Sequence, residues 1–219
     1  MKKYELLVDD TITFLGVQLF RIKALISFSG IKKGEVGGYV ESEKNLSQYG
    51  DAWVYGNAKV YGDAEVSGNA EVSGNAEVSG NAKVSGDAEV YGDAWVYGNA
   101  KVYGDAKVYG DAKVSGDAEV YGDAWVYGNA KVYGDAEVYG DAKVYGDADY
   151  IVFKNTWSSG RYFTYTKSNR KWRVGCFYGS GAELVEKAYK DSKKSGDFYK
   201  AYVEFVEKLE AIENTYKEQ

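Results

Sequence analysis

The sequence predicts a mainly β protein built around a parallel β-helix, and three observations predict it. A six-residue phrase, Ala-x-Val-Tyr/Ser-Gly-Asp/Asn, repeats without insertion or deletion from Tyr49 to Asp149. Each phrase ends on a pair of residues suited to a chain corner. The flanking segments lack this period, which predicts three parts: an N-terminal β cap at 1–45, the β-helix at 46–150 and a C-terminal α+β module at 151–219.

The N-terminal part has the alternating apolar pattern of strands. Strands that cover the first coil of the β-helix are predicted at YELLV and at TITFLGVQLFRIKAL, which a Gly interrupts. A cap is expected here because an open β-helix exposes an apolar bore and unpaired strand edges.

The repeats predict a coil rather than a flat sheet. Val recurs at every sixth residue from 54 to 144, and Ala lies two residues before each Val. Alternate residues of a strand point to one face, so Ala and Val point inward while x and Tyr or Ser point outward. Gly, Asp and Asn tolerate the positive φ of a corner. Corners of one sense every six residues give a triangular turn of eighteen residues with strands stacked in parallel.

This phrase resembles the hexapeptide repeat of left-handed parallel β-helices. The aliphatic and small positions match, whereas Gly is moved one place along and Tyr or Ser stands where Gly is usual. The left-handed winding of the coil is implied by this resemblance alone. The chain also resembles a group of uncharacterised phage and prophage proteins, through GEVGGYVESEKNLS before the repeats and GCFYG at Gly175–Gly179 after them. That resemblance implies a viral or prophage origin and a site of action in the cytoplasm of a bacterial host.

The C-terminal part predicts three strands and two helices. YIVF, RYFTYT and KWRVGCF read as strands. Ser180 and Glu183 form a capping-box pattern that opens a helix to about Lys194, and Ser195–Asp197 opens a second. Apolar residues of the second helix follow a 4-3-4-3-4 spacing: Phe198, Tyr202, Phe205, Leu209, Ile212 and Tyr216. This seam is typical of an oligomer contact, although a helix packed on its own chain has the same pattern.

The composition argues against an enzyme. There is no His among the 219 residues and one Cys, so the His-dependent acyltransferase and zinc chemistry of hexapeptide proteins does not carry over. Cys176 lies among apolar residues and is predicted to be a buried thiol. We expect no catalytic residues, no cofactor and no metal. One column of corner carboxylates could hold Ca²⁺, but accepting hydrogen bonds from corner amides is the simpler role. This column consists of Asp87, Asp105, Asp123 and Asp141.

Charge and hydropathy argue against two classes of partner, nucleic acids and membranes. The net charge is -6 and the repeats carry 7 Lys against 18 Asp and Glu, which predicts no direct binding of nucleic acid. No apolar run is long enough to cross a membrane, so we expect a soluble protein.

The outward Trp and Tyr residues are the candidates for partner binding. Large rings at x positions, where Lys or Glu would satisfy the fold, predict an interface at Trp95 and Trp125 with Tyr97 and Tyr127, and also at Trp53. The alternative for the tyrosines is stacking between coils. Four consecutive Ser positions, Ser67 to Ser85, form a narrow band that could seat a partner or record simple copying of one unit.

We therefore predict a non-enzymatic interaction scaffold, a dimer or trimer, that binds and inhibits a host protein such as a component of antiviral defence. One alternative is a small-molecule or glycan binder, in which Trp and Tyr stack on rings or sugars. The other is a purely structural spacer.

Overall fold

The repeats wind into a parallel β-helix of about six turns, as the period predicted. The computed structural model describes residues 2–217. These residues form two compact units, one up to Asp149 and one from Tyr150 onward. The predicted fold class, a mainly β solenoid with an N-terminal β region and a small C-terminal helical and sheet module, is confirmed.

The first unit begins with three strands that extend one face of the solenoid. These are β1 (Tyr4–Phe14), β2 (Val17–Ala24) and β3 (Val36–Val40). β1 and β2 are antiparallel, β2 and β3 are antiparallel, and β3 runs parallel to the repeat strand that contains Lys59. Val40 and Leu46 are fully buried, so the bore begins before the repeats do.

A short 3-10 helix at Glu43–Asn45 interrupts this first, irregular coil. The buried Asn45 amide donates to the carbonyl oxygens of Gly62, at 3.0 Å, and Ala64, at 2.9 Å. The side chain thereby satisfies backbone groups of the next coil where the regular pattern is absent.

Each hexad contributes one two-residue strand. In chain order these are β4 (Trp53–Val54), β5 (Lys59–Val60), β6 (Glu65–Val66), β7 (Glu71–Val72), β8 (Glu77–Val78), β9 (Lys83–Val84), β10 (Glu89–Val90), β11 (Trp95–Val96), β12 (Lys101–Val102), β13 (Lys107–Val108), β14 (Lys113–Val114), β15 (Glu119–Val120), β16 (Trp125–Val126), β17 (Lys131–Val132), β18 (Glu137–Val138) and β19 (Lys143–Val144). A second 3-10 helix, Asp147–Asp149, ends the unit.

Every third strand pairs, which gives the solenoid three faces. The β4–β19 face contains β4, β7, β10, β13, β16 and β19; the β5–β17 face contains β5, β8, β11, β14 and β17 below the N-terminal strands; and the β6–β18 face contains β6, β9, β12, β15 and β18. The register is eighteen residues throughout, as in Glu89 paired with Lys107.

The bore and the corners explain why the repeat is so strict. The Ala and Val of every hexad from Ala52 to Val144 are almost completely buried. The corner glycines from Gly50 to Gly140 have φ between 58° and 75°. A Cβ on Gly92 would lie 3.0 Å from the amide nitrogen of Gly110 in the next coil. Gly is required there both for its φ and for the close approach of the two backbones.

The second unit is a four-stranded antiparallel sheet packed on two helices, within the residues described. Its elements are β20 (Tyr150–Lys154), β21 (Tyr162–Thr166), β22 (Lys171–Val174), β23 (Phe177–Gly179), α1 (Gly181–Asp191) and α2 (Lys193–Lys217). The prediction of three strands is wrong, because KWRVGCF turns back at Gly175, whose φ is 56°, and forms two strands.

The sheet and helices share an aromatic core. Phe163, Trp172, Leu184, Tyr199 and Val206 are buried in it. The predicted capping box at the start of α1 is confirmed, since the Ser180 hydroxyl accepts from the Glu183 amide and the Glu183 carboxylate accepts from the Ser180 amide.

Candidate interaction surface

Trp53 belongs to the core and is unavailable to a partner. Its side chain is fully buried beneath the N-terminal strands, with the rings of Tyr4 and Phe28 at 6.2 and 5.5 Å. A Cβ on Gly37 would lie 2.8 Å from the Trp53 ring, so β3 packs directly against the indole. The predicted exposure of Trp53 is wrong because residues 1–45 supply this cover.

Most outward tyrosines stack on one another from coil to coil. On the β4–β19 face the ring centroids of Tyr91 and Tyr109 are 4.8 Å apart, and Tyr109 lies 5.2 Å from Tyr127. Tyr127 also contacts Tyr145 at 5.3 Å. On the β6–β18 face Tyr103, Tyr121 and Tyr139 follow one another at 4.7 and 4.5 Å. These rings stabilise the ladder of strands, since each covers the faces of its neighbours.

Several tyrosine hydroxyls also bond to a Glu in the next coil, sixteen residues on. Tyr103 donates to Glu119 and Tyr121 donates to Glu137, both at 3.0 Å. Two longer bonds of the same kind, 3.3 and 3.4 Å, join Tyr55 to Glu71 and Tyr61 to Glu77. A tyrosine in this arrangement has both its ring and its hydroxyl engaged by its own chain.

Trp125 and Tyr127 are largely engaged in this way. The Trp125 side chain is half-buried, the ammonium of Lys143 lies 4.9 Å from its ring, and the edge of Tyr109 contacts it at 6.2 Å. Tyr127 lies between two other rings. The structure brings both predicted residues together, but on a surface already packed by neighbouring coils.

Trp95 and Tyr97 are the exception. Trp95 is 42% exposed and Tyr97 is 39% exposed. The residues eighteen positions before and after Tyr97 are Ser79 and Ser115, so no ring from the adjacent coils stacks on it. The residue sixteen positions on is Lys113, which lies over the Trp95 ring at 4.4 Å and cannot accept a hydrogen bond. Tyr97 therefore lacks both kinds of contact that hold most of the other tyrosines.

A groove runs beside Trp95. Its volume is about 460 Å³, and it is lined by Lys59, Asn75, Glu77, Asp93, Trp95, Asp111 and Lys113. The Lys59 ammonium lies 3.6 Å from the Glu77 carboxylate. The Asn75 amide donates to Asp93 at 3.0 Å. We call Trp95, Tyr97 and this groove the β11 surface; its three carboxylates outnumber its two ammonium groups.

Corner asparagines donate to corner aspartates of the next coil. Asn69 donates to Asp87 and Asn99 donates to Asp117, at 3.0 and 3.1 Å. No group of His, Cys, Asp and Glu side chains that could hold a metal ion occurs in residues 2–217. Cys176 is exposed, so its predicted burial is wrong; it follows Gly175 in the turn between β22 and β23.

Helix α2 carries two adjacent apolar stripes. Tyr199, Val203 and Val206 are buried in the core of the second unit. The predicted seam lies about one residue away around the helix. In it Phe205, Ile212 and Tyr216 are 49%, 55% and 73% exposed, Phe198 is exposed, and Tyr202 and Leu209 are half-buried. Phe198 stacks on Trp157 at 4.6 Å and Tyr202 packs on Phe153, so the seam is only partly covered.

A second cavity of about 300 Å³ lies in the second unit. Trp172, Tyr165, Arg170 and Glu210 are among its lining residues. Tyr165 donates to Glu210, and Arg170 lies 3.6 Å from the same carboxylate. Burial, with the adjacent Glu210 carboxylate, raises the pKa of Tyr165 above its usual range. Tyr165, Arg170 and Glu210 thus engage one another within this cavity.

No protein-family model matches the chain, and no curated protein has a significantly similar sequence. Within residues 2–217 no helix is long and apolar enough to cross a membrane.

Proposed function

We propose that the protein is a non-enzymatic interaction scaffold, a left-handed β-helix of phage or prophage origin that acts in the cytoplasm of a bacterial host. It binds a host protein, such as a component of antiviral defence, and inhibits it. The origin and the hand rest on the sequence resemblance; the binding rests on the β11 surface.

One observation carries the proposal. Trp95 and Tyr97 are large exposed rings, and the chain leaves Tyr97 without the stacking and hydroxyl contacts that most of its other ladder tyrosines have. Trp and Tyr are enriched among the residues that dominate binding energy at interfaces. Lys113 occupies one face of the Trp95 ring, which makes that ring a poor platform for a sugar and favours contact through its exposed edge.

The chain provides a matched control for testing this surface. Trp95 and Trp125 have the same local sequence, YGDAWVYGNAKVYGDA, but different neighbours. Trp95→Lys and Trp125→Lys proteins are used to capture partners from lysate of a phage-sensitive host, and bound proteins are quantified by mass spectrometry. The partner is the protein that the wild type and Trp125→Lys retain and Trp95→Lys loses.

Calorimetry with that purified partner then measures affinity. Loss of a central Trp costs about 2 kcal/mol or more, about thirtyfold in affinity, so Trp95→Lys is expected to weaken binding at least tenfold and Trp125→Lys less than twofold. Equal effects of the two substitutions would rule out the β11 surface.

We also propose that the α2 seam joins copies of the chain into a dimer or trimer. Its support is the exposed stripe of Phe205, Ile212 and Tyr216 beside the stripe already buried in the second unit. Light scattering is expected to give a multiple of 24.2 kDa. Phe205→Glu with Ile212→Glu should reduce it to the monomer, whereas Ala211→Glu, off the stripe, should not. A monomeric wild type at micromolar concentration contradicts this proposal.

A further inference from the structure

The tyrosine column that contains Tyr97 is interrupted at regular intervals. On the β5–β17 face the residues that follow each Val, eighteen apart, are Tyr61, Ser79, Tyr97, Ser115 and Tyr133. Tyr alternates with Ser. On the β4–β19 face four consecutive coils each supply a tyrosine, and the rings fill the column.

The backbone continues through the interruption without distortion. The Tyr97 amide donates to Val114 and the Ser115 amide donates to Val132, both at 2.9 Å. Tyr97 and Tyr133 are therefore two strand spacings apart, about 9.6 Å. The complete column has ring centroids 4.8 Å apart at Tyr91 and Tyr109, half of that separation. The gap over Ser115 thus matches the space that one aromatic ring occupies elsewhere in this solenoid.

The other interruption, at Ser79, is bordered by a tyrosine that its own chain already engages. The hydroxyl of Tyr61 bonds to Glu77 at 3.4 Å, and the ring of Phe14, at the end of β1, lies 5.8 Å from the Tyr61 ring. The two tyrosines on either side of Ser115 lack such hydroxyl and ring contacts within the described residues. Tyr97 has Lys113 in place of a Glu, and Tyr133 is 60% exposed.

We propose that the gap over Ser115 binds one aromatic side chain of a protein partner, sandwiched between Tyr97 and Tyr133. This rests on the proposed function and names the chemistry that the β11 surface recognises. Sandwiching between two rings is the same contact that the complete columns make within the chain.

Charge around the gap selects the neighbours of that ring. The corners beside it carry the exposed carboxylates of Asp111, Asp117 and Asp135. On the same face Lys113 is held over Trp95 and Lys131 is exposed, so carboxylates outnumber ammonium groups three to two. A partner ring next to an Arg or Lys therefore meets complementary charge, whereas the phosphate of a nucleotide would face like charge. The occupant is accordingly Tyr, Phe or Trp beside a basic residue.

Filling the gap from within tests its geometry. In Ser115→Tyr the new ring should complete the column and raise the melting temperature by a few degrees. The matched control, Ser79→Tyr, places a ring beside Tyr61, which Phe14 and Glu77 already engage, and should give a smaller increase. A melting temperature for Ser115→Tyr at or below that of the wild type overturns the proposed spacing.

A defined peptide tests the occupant. Acetyl-Arg-Tyr-Arg amide is titrated against the full chain by proton NMR, with acetyl-Arg-Leu-Arg amide and adenosine monophosphate as comparisons. The tyrosine peptide should show upfield ring-current shifts of its ring protons, weakened at least fivefold by Ser115→Tyr and by Tyr133→Ala. Absence of these shifts, or equal shifts with adenosine monophosphate, overturns the proposal.

The partner capture separates this proposal from the function on which it rests. Both are supported if Trp95→Lys and Ser115→Tyr each weaken binding of the same host protein at least tenfold. If Trp95→Lys does so and Ser115→Tyr has no effect, the gap is not used and the interaction scaffold stands. If neither has an effect, the β11 surface is wrong as a whole.

Discussion

Residues 89–106 and 119–136 have identical sequences, EVYGDAWVYGNAKVYGDA, and present different surfaces. They are thirty residues apart, which is one full coil and two hexads, so the second copy lies on different faces from the first. Trp95 falls in β11 on the β5–β17 face and Trp125 falls in β16 on the β4–β19 face. Trp95 is 42% exposed, whereas Trp125 is half-buried.

The tyrosines that follow the two tryptophans differ even more in their neighbours. Tyr97 lies between Ser79 and Ser115, while Tyr127 lies between Tyr109 and Tyr145. In a solenoid the environment of an outward side chain is set by the residues eighteen positions away and not by its own segment. An identical stretch is therefore a strand-stabilising element in one place and an open surface in another.

The largest expected effect comes from breaking the phase of the coil. Deleting either 89–106 or 119–136 removes eighteen residues and restores the register, so both proteins should retain their β-sheet circular dichroism and a cooperative melt. Deleting only Trp95–Tyr97 places Val102 nine positions after Val90 instead of twelve. Val102 then cannot enter the bore in register, and this protein should unfold. A three-residue deletion that melts as high as the eighteen-residue ones contradicts the coil.

Truncating the two equivalent tyrosines should give unequal losses of stability. Tyr127→Ala removes ring contacts with Tyr109 and Tyr145, at about 0.5–1.5 kcal/mol each, so about 1–3 kcal/mol in total is expected. Tyr97→Ala removes no stacked ring and should cost within about 0.5 kcal/mol. Urea denaturation measures both free energies of unfolding. Equal losses would show that the columns do not stack in solution.

The smallest expected effect is on the pH dependence of stability. Burial, and then the neighbouring Tyr91 and Tyr127, raises the pKa of Tyr109 above its ordinary value. A folded-state pKa above the unfolded value of about 10 means that the unfolded chain loses its proton first. The contribution of Tyr109 to the free energy of unfolding is thus complete below about pH 10 and declines as the pH rises above it. Tyr109→Phe should decline less steeply in urea denaturation between pH 9 and 11; an unchanged slope contradicts this.

The bore was predictable from the sequence because its rules are local. Ala and Val at fixed positions point inward whatever surrounds them, and a Gly with positive φ fits one kind of corner. The capping box at Ser180 was predictable for the same reason, since it joins residues three apart.

Burial of outward residues was not predictable from the hexad alone. Trp53 has the same phase as Trp95, but β3 lies against it through Gly37, a contact set by antiparallel pairing of distant strands. The exposure of Tyr97 did have a signal in the sequence: Ser at both positions eighteen residues away. Tyr127, by contrast, has Tyr at both positions eighteen residues away, so the column distinguishes the two residues where the hexad does not.

The difference between a six-residue repeat and an eighteen-residue turn has an evolutionary consequence. Duplication of one hexad by unequal recombination leaves every Ala and Val of the bore equivalent, so the fold tolerates it. The same event moves every downstream outward residue of the solenoid onto the next face, a rotation of about one third of a turn. A single copying error can thereby bring together side chains that had never been neighbours, and selection can test new surfaces without any change in the buried residues.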